Sequence, residues 1–173
     1  MYTFPCSGIP YKRVMNMKES TKTYALSIVL AEGVGALSAF LSRSGMESYS
    51  NTVRQPPLSP PMLLFPVVWT VLYALMGISS ARIYLSAPSK ERSLGLNIYI
   101  AQLVVNFFWS LIFFNAQAFG FALLWLLILW ALVLWMILVF WKTDPLAAKL
   151  QIPYLLWLTF AAYLNAAVWY LNP

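Results

Sequence analysis

The chain has 173 residues, of which 61% are hydrophobic and 9% charged, and its mean hydropathy is +0.72. Soluble domains are roughly half apolar and a quarter charged, so a soluble catalytic domain is excluded and a polytopic membrane protein is expected. The formal charge of +6 comes from eleven Lys and Arg against five Asp and Glu. These bases are scattered among apolar stretches, which suits anchoring against anionic lipid and not nucleic-acid binding.

Residues 1–22 are polar and basic, with Lys12, Arg13, Lys18 and Lys22 against Glu19. The stretch has no apolar core of signal-peptide length and reads as a cytoplasmic tail. The remainder, 23–173, is expected to be one membrane domain, because about 20 apolar residues make one crossing and five crossings nearly exhaust the chain. The fold class is therefore an all-α integral membrane protein, a bundle of five transmembrane helices.

The first span covers about 24–41 and is interrupted by Glu32. An intramembrane carboxyl is either a proton or cation site or a protonated group facing the bundle, and both readings stay open. Ala31, Gly35 and Ala39 recur every four residues and would let another backbone approach, from this chain or a second copy. Residues 42–61 form the longest connection, a length that suits a functional lid. Its prolines at 56, 57, 60 and 61 hold it near extended angles.

The second span, about 62–83, carries Trp69, Thr70, Tyr73 and Ser80 at near-helical spacing. The third, about 94–114, carries Gln102, Asn106 and Ser110 at successive i, i+4 positions with Trp109 beside them. Amides in hydrocarbon are costly unless partnered, so that face points into the bundle or a cavity. Residues 115–118 make a tight hairpin. The fourth span, about 119–141, has no Ser, Thr, Asn, Gln or charged residue, and Trp125, Trp130 and Trp135 do not fall on one stripe; it is expected to be the helix most exposed to lipid. The fifth span, about 152–171, places Trp157, Ala161, Leu164, Asn165 and Val168 on one face.

Alternating spans put Lys12, Arg13, Lys18, Lys22, Arg82, Lys90, Arg92, Lys142 and Lys149 on one side, nine of the eleven bases, and only Arg43 and Arg54 on the other. The positive-inside rule then sets the amino terminus in the cytoplasm and the long loop and carboxyl terminus outside.

The segments QPPLSPP, FPVVWTVLYALMG, QLVVNFFWSLIFF and DPLAAKLQIPYLLWLTFAAYLNAAVW, in this order, resemble the translocator protein family, also called tryptophan-rich sensory proteins or peripheral-type benzodiazepine receptors, in a bacterial form. The likeness covers about residues 25–170. It implies a five-helix bundle, a homodimer, and a cavity open toward the first loop that takes porphyrins such as protoporphyrin IX and haem, and related hydrophobic ligands. Carried over residue by residue, the ligand-binding positions are Trp69 and Tyr73 in span two, Asn106 and Trp109 in span three, Trp157, Ala161, Leu164 and Asn165 in span five, and Leu58 and Pro60 in the lid.

Two positions depart from the family pattern. Many members have Trp where this chain has Leu58, and that Trp is linked to light-dependent porphyrin breakdown. The sterol-recognition pattern of animal members is replaced here by Ala166 and Tyr170. The expected function is thus a membrane receptor, sensor or transporter for porphyrins, with no cofactor and no metal. The alternative is a light-dependent porphyrin-degrading enzyme. The chain has no His and one Cys, Cys6, so it lacks the commonest general base and any disulfide within the chain. The chemistry left is photochemical electron transfer from Trp or Tyr to an excited ligand.

Overall fold

A computed structural model describes residues 17–61 and 63–173; the basic tail through residue 16, with Cys6, and Met62 lie outside the described residues. The described residues form α1 (Met17–Leu41), α2 (Arg43–Thr52), α3 (Leu64–Leu85), α4 (Lys90–Ser110), α5 (Phe119–Thr143), α6 (Pro145–Lys149) and α7 (Ile152–Leu171). A π turn, Leu111–Asn115, continues α4, with the Ala116 amide reaching the Leu111 carbonyl at 3.0 Å. Five helical stretches are long and apolar enough to cross a bilayer: α1, α3, α4 with its π turn, α5, and α6 with α7. The protein is a multi-pass integral membrane protein. Only helices, with every backbone group satisfied inside the segment, can do this without closing a barrel.

Local signals explain the helix boundaries. Ser89 is extended and its hydroxyl accepts the Arg92 amide at 3.0 Å, so Lys90, Glu91 and Arg92 form the first turn of α4. Asp144 accepts the amides of Leu146 at 2.9 Å and Ala147 at 3.2 Å, while Pro145 occupies the first turn of α6. The second carboxylate oxygen of Asp144 meets Arg82 Nη2 at 2.8 Å, tying the end of α3 to the α5–α6 corner. Arg92 in turn donates to the Tyr84 carbonyl at 2.7 Å and 3.1 Å.

The α1–α3 contact depends on glycine. A Cβ at Gly77 would meet the Ile28 backbone, and a Cβ at Gly35 would overlap the Tyr73 ring. Of the small residues at 31, 35 and 39, Ala31 is fully buried, Gly35 receives Tyr73 and Ala39 faces a cavity, so the stripe serves contacts within this chain.

The fourth span is not the helix most exposed to lipid. Ala122, Leu126, Leu129, Val133, Met136 and Phe140 recur every three or four residues and are all but fully buried, and α5 packs between α4 and α7. Trp125 and Trp130 anchor it: their indole N–H groups donate to the Val105 carbonyl at 2.8 Å and to Thr159 Oγ1 at 2.9 Å. An all-apolar helix is equally at ease against lipid or against apolar neighbours, so the missing polar groups did not decide its place. The barest helix is α1, in which Ala31 and Ser38 are the buried residues.

The long connection is also partly helical. Tyr49 of α2 packs on Phe113, Phe114 and Phe119 with ring centroids 5.4, 5.4 and 6.4 Å away. Asn115 Nδ2 donates to the Leu41 carbonyl at 2.9 Å. Past α2, Asn172 clasps Arg54 like a strand partner, accepting its amide and donating to its carbonyl, each at 3.0 Å. The connection and the end of α7 therefore sit together at one end of the bundle.

Candidate ligand-binding cavity

A cavity of about 300 Å³ opens beneath α2 and the proline segment, between α1, α3, α4 and α7. This volume lies at the lower end of small-molecule sites. α3 supplies Trp69 and Tyr73; α4 supplies Asn106 and Trp109; α7 supplies Trp157, Ala161, Leu164 and Asn165; the proline segment supplies Pro60. Nine of the ten positions expected from the sequence thus share one wall system. Leu58 is 63% exposed and lies outside that wall; the proline segment reaches the cavity through Gln55, Ser59 and Pro60 instead.

Two aromatic groups line the space. On the α3 and α7 side, Trp69 lies 5.5 Å from Tyr73, and Phe65 packs edge-on to Trp157 at 5.9 Å. On the α4 side, Trp109 stacks on Phe113 at 5.0 Å with Phe114 edge-on to both. The π turn places Phe113 and Phe114 side by side toward the interior, where both line the cavity. Their quadrupoles and large apolar faces favour a flat aromatic guest.

Polar groups are few and specifically placed. Asn106 Nδ2 donates to the Tyr73 hydroxyl at 2.8 Å, so this buried amide joins α4 to α3 and faces the cavity as well. Asn165 Nδ2 donates to the Phe119 carbonyl at 2.8 Å and fixes the start of α5. Among the described residues, Asn165 Oδ1, Trp109 Nε1 and Ser42 Oγ are buried without a hydrogen-bond partner, and all three residues belong to the wall. Gln102 belongs elsewhere: it is fully buried below the cavity and accepts the Tyr154 hydroxyl at 3.1 Å. Arg54 is exposed and is absent from the wall; only its backbone is engaged, by Asn172. Burial pushes the Tyr49 phenol of α2 above its usual value, so it stays neutral against the phenylalanine cluster.

Wall residues outside the expected set come from several elements: α1 supplies Glu32, Gly35, Ala36, Ser38 and Ala39, and α2 and the π turn supply Met46, Tyr49, Phe113 and Phe114. The spacing of Met46, Tyr49 and Val53 was the available signal, one apolar face in an otherwise polar stretch.

The model of the TspO/MBR family matches residues 27–171, which includes every wall element. The chain belongs to the TspO/MBR family. It is 36% identical over 155 residues to protein CrtK of Rhodobacter capsulatus, covering 89% of this chain and 95% of that protein. It is 33% identical over 149 residues to the human translocator protein, covering 84% and 88%, and 30% identical over 149 residues to a tryptophan-rich sensory protein of Cereibacter sphaeroides, covering 86% and 92%. The cavity aromatics of this TspO/MBR protein that the sequence singled out, Trp69, Tyr73, Trp109 and Trp157, come from α3, α4 and α7. Among the described residues no His, Cys, Asp and Glu converge as a metal site.

Proposed function

We propose that this protein is a membrane receptor, sensor or transporter that binds porphyrins, such as protoporphyrin IX and haem, and related flat hydrophobic ligands in the cavity beneath α2. The observation that carries this reading is the cavity walled by Trp69, Trp109 and Trp157, with Asn106 among its few polar groups. A tetrapyrrole is flat, aromatic and amphipathic, so its ring gains contact with indole faces and its polar edge can meet one of the wall's side-chain amides, Gln55, Asn106 or Asn165. The resemblance to proteins named translocator and tryptophan-rich sensory protein supports the same class.

The amino terminus lies in the cytoplasm and the α2 end faces outward, because the described ends of α1, α3, α4, α5 and the short α6 that share the amino-terminal side carry Lys18, Lys22, Arg82, Lys90, Arg92, Lys142 and Lys149. The functional unit is a homodimer.

The deciding experiment titrates the purified protein with protoporphyrin IX in the dark, following tryptophan fluorescence. Saturable quenching that weakens in Trp157→Phe is the expected result. Absence of quenching overturns the reading, and loss of porphyrin absorbance under illumination that requires the protein would replace a receptor by an enzyme.

A further inference from the structure

Glu32 sits on α1, half-buried in the cavity wall, with Gly35, Ala36 and Ala39 following it on the same face. Among the described residues that line the cavity it is the sole Asp, Glu, Lys or Arg. The Tyr73 phenol lines the same cavity, and its hydroxyl oxygen already accepts Asn106 Nδ2 at 2.8 Å. The two bases at this end of the bundle, Arg43 and Arg54, are exposed and do not line the cavity. An ionised carboxylate facing apolar walls is disfavoured until an opposite charge or an N–H donor joins it. The wall provides no cation, so a guest that carries one supplies the opposite charge the wall lacks.

We propose that Glu32 is a specificity-determining residue: the cavity accepts guests that bring a protonated nitrogen or an N–H donor to the α1 wall and disfavours guests that bring a carboxylate there. This rests on the cavity being the binding site, and it deepens that reading by fixing an orientation. A tetrapyrrole dicarboxylate enters with its acid edge toward Gln55 and Ser59 and away from α1. The Coulomb term between like or opposite charges in such a site is large enough to reorder affinities, and it acts on charge, not on shape.

One scaffold in three charge states tests this: protoporphyrin IX, its neutral dimethyl ester, and a derivative whose two propionates are joined by amide bonds to tertiary amines. Binding is read by tryptophan quenching in nanodiscs of uncharged lipid. The wild-type chain binds the amine derivative more tightly than the ester and the ester more tightly than the diacid. Glu32→Gln weakens the amine derivative about tenfold, strengthens the diacid, and shifts the ester by less than about twofold. Glu32→Asp keeps the wild-type order. A wild-type order that places the diacid first overturns the proposal, and so does a Glu32→Gln variant that shifts all three alike or none. The wild-type ranking decides the matter even if a variant fails to fold. Trp69→Leu separates the two readings: if it weakens no porphyrin, the cavity itself is not the site, whereas weakening of all three beside an inert Glu32→Gln removes the charge selection alone.

Discussion

Trp157 lies between Phe65 at 5.9 Å and Phe160 at 5.7 Å, with its ring on the cavity wall. Replacing it by Phe keeps an aromatic face and removes contact area, so Trp157→Phe should keep the fold and weaken porphyrin binding by about 1 kcal/mol, roughly fivefold, in a fluorescence titration. Asn106 has two contacts, since its amide holds Tyr73 and also lines the cavity. Asn106→Leu leaves a buried hydroxyl without its donor, a cost of about 1–3 kcal/mol. Binding should fall by about tenfold while thermal unfolding in detergent remains cooperative; loss of folding would make the amide structural. Both residues were legible in the sequence because a polar or indole group in a span must have a reason to be there. Trp109 and Asn165 were legible for the same cause. Leu58 was not: a residue carried over from a loop pattern has no periodicity to fix its direction, and here it points to solvent at 63% exposure.

At the scale of elements, the spans were readable from length and apolarity, but their neighbours were not. The seam of α5 at positions 122, 126, 129, 133, 136 and 140 is drawn from residues as apolar as those on its lipid face, so no contrast marks it. The π turn is equally silent in the sequence, since the run Leu111 to Phe114 suits an ordinary helix, and only its packing on Tyr49 shows why both phenylalanines must turn inward. The α1–α3 contact makes a firm prediction. Gly77→Leu pushes a side chain into the Ile28 backbone, and the unfolding temperature in detergent should fall by several degrees, as a loss of a few kcal/mol implies. The Asn172 clasp makes another. Asn172→Ala removes both bonds to Arg54, each worth about 0.5–1.5 kcal/mol, so amide exchange at Arg54 should speed up about tenfold while exchange within α5 stays unchanged.

For the whole molecule, charge and topology combine into one testable orientation. In a Cys6→Ser background, Ser50→Cys at the α2 end should react with an impermeant maleimide on intact cells, whereas Ala87→Cys, in the α3–α4 connection, should react only after lysis. The reverse pattern would turn the protein over in the membrane.

The slight burial of α1 has a consequence for how the protein meets its guest. Its ties to the rest include the Ser38 hydroxyl on the Phe107 carbonyl at 3.1 Å and a close glycine contact with α3, and most of its remaining surface is bare. A hydrophobic molecule dissolved in the bilayer therefore stands one thin wall from the cavity. For the hydrophobic ligands proposed above, the quantity that would fill the site is the guest's mole fraction in the lipid, not its molarity in water. Apparent affinities expressed per volume of buffer will drift with the amount of lipid or detergent present, and those expressed per lipid will hold still.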